Sequence, residues 1–147
     1  MKILGVGIDL VENIRIKKLI KVRKFLNRIF TKEEIDNSLK KKDKTSFLAK
    51  RFASKEAFSK ALGSGFRNGL NFIDISIIND KKGKPYIKIN NKLKNIILKR
   101  LNVKKFKIFL SISDEKNYSI AIVIIEKKWT LRILLLKIPK QFFMHWL

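Results

Sequence analysis

The stretch GVGIDLVE, residues 5–12, constrains the fold of this chain more than any other. Leu4, Val6, Ile8 and Leu10 alternate with Gly5, Gly7 and Asp9. Alternate residues of a strand point to opposite faces. The pattern predicts a strand over residues 3–11 whose Leu4, Val6, Ile8 and Leu10 face a core. The opposite face is bare except for one carboxylate. Glycine within a strand marks a close approach by a ligand or by another backbone. Asp9 is then either a strand-end cap for the following turn or a functional acid.

The rest of the chain reads as alternating helices and short strands. Residues 13–29 form a basic amphipathic segment, and Thr31-Lys32-Glu33-Glu34 has the capping-box pattern that starts a helix. Residues 40–44 are a charged loop. A long helix is expected over residues 45–62, stopped by Gly63, and residues 63–69 form a glycine-punctuated loop. Residues 71–78 and 84–89 read as strands joined by the turn 79–83. Residues 91–101 read as a helix, and residues 106–113 and 118–125 as a closing hairpin. Without strict strand–helix–strand alternation, this order predicts an α+β fold. At this length it would be one domain.

At 147 residues the chain can bury a sizeable core. It has no cysteine, so disulfides and thiolate chemistry are excluded. Thirty-five Lys and Arg against twelve Asp and Glu give a formal charge of +23. Such a field favours polyanionic partners: nucleic acid, an anionic membrane, phosphorylated cofactors or an acidic protein. The lysines accompany many isoleucines and asparagines, so biased composition accounts for the charge equally well. The tail WTLRILLLKIPKQFFMHWL is broken by Arg132, Lys137, Pro139 and Lys140. It is too short in apolar residues for a spanning helix, although it suits a membrane surface or a partner. No transmembrane segment and no secretory leader are expected, which fits a cytoplasmic protein.

Chemistry concentrates in RFASKEAFSKALG, residues 51–63. Glu56 and Lys60 lie four apart on one helical face, with Ala49 and Ala53 leaving that face open to close approach; Phe47, Phe58, Ala61 and Leu62 form an apolar stripe opposite. On spacing alone Glu56 and Lys60 are a surface ion pair. Together with Asp9 they suggest more. Two carboxylates on separate elements suit Mg²⁺, which takes one or two and keeps water and phosphate in the rest of its shell. A lysine one turn away can hold the same phosphates. That is a layout for phosphoryl-type transfer.

The segments GVGIDLVE, FLNRIFTKEE, RFASKEAFSKALGSG, NDKKGKPY and LSISDEKNYSIAIVIIE occur in this order. In that order the chain resembles the bacterial holo-[acyl-carrier-protein] synthases, the small trimeric branch of the 4′-phosphopantetheinyl transferases, over residues 2–126. The resemblance implies that phosphopantetheine moves from coenzyme A to a serine of apo-acyl carrier protein, for fatty acid biosynthesis. It implies Asp9 and Glu56 as Mg²⁺ ligands, Glu56 also as the base, and Lys60 on the diphosphate. Ser59, Gly63 and Ser64 would meet the cofactor at the helix end. Gly83, Lys84 and Pro85 would border its adenine and ribose. Arg51 would approach the nucleotide, although its helical phase points it away from Glu56 and toward a neighbouring subunit or a structural ion pair. Arg15, Leu19, Arg23, Phe25 and Arg28 would dock the acidic carrier, opposite charge raising its on-rate. A homotrimer with sites between subunits is implied, as is one domain over residues 1–126, a long central helix packed on an antiparallel sheet, with residues 127–147 as a hydrophobic basic extension beyond the family's usual end.

One departure stands out. The family has Ser-His-Thr, or a close variant, at the start of the closing hairpin, where this chain has Ser113-Asp114-Glu115. Acids near phosphate repel it, so weakened coenzyme A binding is expected and an inactive relative is the alternative. A nucleic-acid-binding protein is a further alternative. It fits the charge, but the basic residues are spread over every segment rather than gathered on one aromatic face. No nucleic-acid partner is therefore expected.

Overall fold

The computed structural model describes residues 2–129. The expected extension therefore lies outside the described residues from residue 130 onward. The elements are β1 (Lys2–Glu12), α1 (Asn13–Leu19), α2 (Arg23–Ile29), α3 (Lys32–Leu39), α4 (Lys44–Leu62), a 3₁₀ turn (Phe72–Asp74), β2 (Ser76–Asn79), β3 (Pro85–Lys88), α5 (Asn91–Leu101), β4 (Phe106–Asp114) and β5 (Tyr118–Lys127). They form an α+β arrangement with a three-stranded antiparallel sheet in the order β1-β5-β4 and a two-stranded sheet β2-β3.

Local chemistry explains most boundaries. Thr31 Oγ1 accepts from the Glu34 amide at 3.2 Å, and Glu34 Oε2 accepts from the Thr31 amide at 2.9 Å, completing the capping box. Asp43 Oδ1 caps α4 through the Ser46 amide at 2.9 Å. Gly63 ends the helix in the left-handed region at φ 73°, where a β-carbon would be strained. Two boundaries differ from expectation. Residues 13–29 divide into α1 and α2 at Ile20–Val22, and residues 71–78 begin with the 3₁₀ turn rather than extended chain.

The inward face of β1 is the reverse of the expected one. Val6, Ile8 and Leu10 are 53%, 54% and 61% exposed. The glycine face turns inward because α4 lies directly on it. A β-carbon at Gly5 would sit 1.9 Å from the Ala61 carbonyl oxygen, and one at Gly7 1.9 Å from that of Ala57. The glycines thus serve the approach of another backbone rather than open space for a ligand. α4 also lacks the single apolar stripe expected of it. Ala49, Ala53, Ala57, Phe47, Leu48, Phe58, Ala61 and Leu62 are all buried, so Ala49 and Ala53 belong to the core instead of bordering a free face.

A charged node fastens α4 on its other side. Lys55 and Glu34 are fully buried and paired at 2.7 Å. Lys55 Nζ donates to the carbonyls of Ile29 at 2.8 Å and Phe72 at 3.0 Å. The second Glu34 oxygen accepts from the Ile77 amide at 2.8 Å. Burial pulls the Lys55 ammonium below its ordinary range, and the Glu34 carboxylate opposes that pull. With its hydrogen-bonding capacity met, the pair joins α2, α3, the 3₁₀ turn and β2 to the central helix.

Candidate active site

Asp9 shares the inward face of β1 with Gly5 and Gly7, so the packing that seats α4 also brings Asp9 beside it. Glu56 and Lys60 meet it from α4. Lys60 Nζ donates to Asp9 Oδ1 at 2.7 Å and to the Ile8 carbonyl at 3.0 Å. The surface ion pair expected between Glu56 and Lys60 is therefore replaced by one that crosses to the strand. Asp9 is likewise no strand-end cap: its carboxylate is 14% exposed and holds this ammonium. Asp9 and Glu56 line one cleft of about 240 Å³ with Leu10, Val11, Arg15, Ile16, Leu19 and Phe52. Burial raises the Glu56 carboxyl above the usual carboxylate range. The Asp9 charge adds to the rise, and Lys60 opposes it.

Two acids share the cleft with one ammonium, and the second carboxylate adds to the rise in Glu56 that burial causes first. Among the described residues no cluster of three or more His, Cys, Asp and Glu side chains occurs. The donor set here is thus two hard carboxylate oxygen groups without sulfur or imidazole. That set fits Mg²⁺ completed by water and phosphate and does not fit zinc.

The other expected cofactor residues lie elsewhere in the single chain. Ser59 is 2% exposed, and its Oγ donates to the Glu56 carbonyl at 2.9 Å, so its hydroxyl is committed within the helix. Gly63 accepts from the Arg100 guanidinium at 3.0 Å. Ser64 lines a separate cleft of about 370 Å³ with Arg67, Asn68, Ile96, Lys99 and Arg100. Gly83, at φ 84°, shapes the turn before β3. Lys84 and Pro85 line a third cleft, of about 480 Å³, against β4. Arg51 is five residues from Glu56, roughly 140° away around the helix. It is buried, stacks 3.7 Å from the Phe47 ring centroid and donates to Asn79 Oδ1, while Asn79 Nδ2 donates to the Gly83 carbonyl at 2.6 Å. Burial lowers the guanidinium to about 10, against the raising effect of Glu34, and Arg51 Nε has no hydrogen-bond partner. Arg51 thus supports the turn at residues 79–83 rather than the Asp9–Glu56 cleft.

Asp114 does not stand as a bare acid. Its Oδ2 accepts from Lys50 Nζ and from Ser46 Oγ, each at 3.1 Å. Lys50 sits nearly three turns before Lys60 on α4 and offsets the charge of Asp114 at this hairpin.

Of the expected docking residues, Arg15 and Leu19 border the Asp9–Glu56 cleft. Arg23 and Arg28 are exposed on α2. Phe25 packs against Phe52 with ring centroids 6.5 Å apart. Phe52 was not singled out by the sequence reading, yet it joins α2 to the cleft. Its signal was its position one turn before Glu56 and two before Lys60 on the same face.

The site combines two carboxylates, a fixed ammonium and a basic apolar rim, an arrangement suited to transferring a phosphoryl-linked group from one acidic partner to another. The chain belongs to the 4′-phosphopantetheinyl transferase superfamily, whose family model matches residues 5–123. Within it the chain is similar to holo-[acyl-carrier-protein] synthases. That of Pelagibacter ubique is 56% identical over 128 residues, covering 87% of this chain and 100% of the relative. The crystal structure of the Neisseria meningitidis holo-[acyl-carrier-protein] synthase superposes with a TM-score of 0.77 at 38% identity, covering 86% of this chain and 100% of that one. The Bacillus anthracis enzyme, crystallised in complex with CoA (3′,5′-ADP), gives a TM-score of 0.70 at 36% identity, covering 86% and 98%.

Proposed function

We propose that this chain is a holo-[acyl-carrier-protein] synthase. It transfers 4′-phosphopantetheine from coenzyme A to a serine hydroxyl of apo-acyl carrier protein and releases adenosine 3′,5′-bisphosphate, serving fatty acid biosynthesis in the cytoplasm. The observation that carries this reading is the joining of Asp9 and Glu56 in one cleft that has Arg15 and Leu19 on its rim.

Asp9 and Glu56 would hold Mg²⁺, which would screen the charge of the coenzyme A diphosphate. Lys60, already drawn to Asp9, is placed to neutralise the same phosphates and the leaving group as its charge grows. Glu56 would accept the serine proton, directly or through an intervening water. The serine oxygen then forms a bond to the β-phosphorus of the coenzyme A diphosphate. The bond from that phosphorus to the bridging oxygen breaks, and adenosine 3′,5′-bisphosphate leaves with the electron pair. Arg15, Arg23 and Arg28 would steer the acidic carrier, and Leu19, Phe25 and Phe52 would take its apolar residues. Residues 1–126 suffice for these roles.

Two observations support a homotrimer with shared sites. Val6, Ile8, Leu10, Phe109 and Ile122 leave an apolar sheet face open, and contiguous exposed apolar surface is a mark of an interaction site. The turn with Gly83, Lys84 and Pro85 lies in a different cleft from Asp9 and Glu56. A neighbouring copy would bring such halves together.

Incubation with apo-acyl carrier protein, coenzyme A and Mg²⁺, followed by mass spectrometry of the carrier, tests the reading. A phosphopantetheine adduct that disappears with chelator and in Glu56→Gln and Asp9→Asn is expected. Absence of adduct across pH and metal concentration would favour the inactive relative. The Lys50–Asp114 pair speaks against that second reading, because it removes the acid's repulsion.

A further inference from the structure

The end of the three-stranded sheet farthest from Asp9 gathers six lysines against one acid, Glu126. Lys2 pairs with Lys127 across β1 and β5, and Lys127 also pairs with Phe106 of β4. One step further, the Lys128 amide donates to the Lys105 carbonyl at 3.1 Å. Lys104 precedes Lys105, and Lys107 lies opposite Glu126. Strands are about 4.8 Å apart, so these ammonium groups can lie within roughly one Debye length of one another. Lys2, Lys104, Lys105, Lys107 and Lys128 are exposed. Among the described residues, the lysines that form ion pairs are Lys50, Lys55, Lys60, Lys88 and Lys92, none of them at this end. Like charges opposite one another weaken a sheet, so the cluster costs the fold something, and in return it makes contacts with exposed rings, such as Lys107 Nζ at 4.6 Å from the Phe109 ring centroid.

The same edge is apolar as well as basic. Ile3 is 50% and Trp129 48% exposed, and Lys127 Nζ lies 5.0 Å from the Trp129 ring centroid. Beyond Trp129 the sequence continues TLRILLLKIPKQFFMHWL, with Arg132, Lys137 and Lys140 and no acid. Clustered lysines beside an exposed tryptophan match the headgroup layer of an anionic bilayer. From Lys2 to Asp9 is seven residues of strand, roughly 23 Å, so a bilayer at this end leaves the Asp9–Glu56 cleft open to a carrier. Among the described residues no helix is long and apolar enough to cross a membrane.

We infer that the lysine-rich end of the β1-β5-β4 sheet docks on an anionic lipid surface. Flotation of the full chain with phosphatidylcholine vesicles, and with vesicles also containing phosphatidylglycerol, tests this at low and physiological salt. The triple variant Lys104→Glu/Lys105→Glu/Lys128→Glu is compared with Lys40→Glu/Lys41→Glu/Lys42→Glu, which changes net charge equally at the α3–α4 loop. Circular dichroism and thermal melting establish that both variants are folded, independently of transferase activity. If the first variant melts early, Lys104→Gln/Lys105→Gln/Lys128→Gln takes its place. The expected result is salt-sensitive binding to anionic vesicles only, kept by the loop variant and weakened about 100-fold in the sheet-end variant, at about 1 kcal/mol per lysine. Equal loss in both variants would reduce the effect to net charge and overturn the inference. So would equal binding to neutral vesicles, or binding to RNA oligonucleotides with none to vesicles.

Discussion

At the scale of single residues, the cleft turns on a carboxyl that burial and Asp9 hold in its protonated form to higher pH than usual. The proposed work of Glu56, as metal ligand and base, needs the ionised form. Transfer is therefore expected to rise with pH through the raised Glu56 value, and the acidic limb of the rate profile to move down as Mg²⁺ concentration increases. Stability runs the other way. A carboxyl raised in the folded state binds its proton more tightly there than in the unfolded chain. Its contribution is present below the unfolded value near 4.5 and is lost as pH climbs through the folded value. Urea unfolding of metal-free Glu56→Gln over that window is expected to show a flatter pH dependence than the parent chain. An unchanged slope would remove Glu56 as the titrating group.

At the scale of elements, the helix–sheet contact and the buried pair make separate predictions. A methyl group at Gly7 meets the Ala57 and Ala61 backbone, which cannot swing aside as a side chain would. Gly7→Ala should cost about 3 kcal/mol in chemical denaturation, at the upper end of ordinary overpacking. Lys55→Met leaves Glu34 charged and alone in the core, and should cost about 3–5 kcal/mol. The double variant Glu34→Gln/Lys55→Met should recover part of that loss, since breaking one half of a buried pair is worse than removing both. Elements whose ends are fixed by neighbours in sequence were legible beforehand: the Thr31 box, the Gly63 stop, the 79–83 turn and α5. The inward face of β1 was not. Alternation tells which residues share a face, and apolar residues usually mark the buried one, but here the bulk of α4 needed the glycines. The partner of Lys60 was equally hidden, because helical spacing offers Glu56 and only tertiary packing offers Asp9.

At the scale of the whole molecule, the outward row on β1 and β5 has the character of a core cut open. Ile8→Asp, at a position paired across the sheet with Ile122, should leave the fold of a monomer largely intact while shifting the proposed homotrimer toward single chains in sedimentation or native mass measurements. Transfer should fall with it if a second copy completes the site. The long central helix and the closing hairpin followed from the residue pattern. The open face did not, because alternation gives the members of each face and not which face the rest of the chain covers. The sheet's closure carries a further consequence. The Asn13 side chain donates to the carbonyl of Glu115, 102 residues later, and its oxygen accepts from Ser119, while among the described residues β1 finds its only bonded neighbour in β5, the last of their strands. On the ribosome the first strand made is thus the last to be paired, and its oily edge must wait in the open until almost the entire domain has emerged.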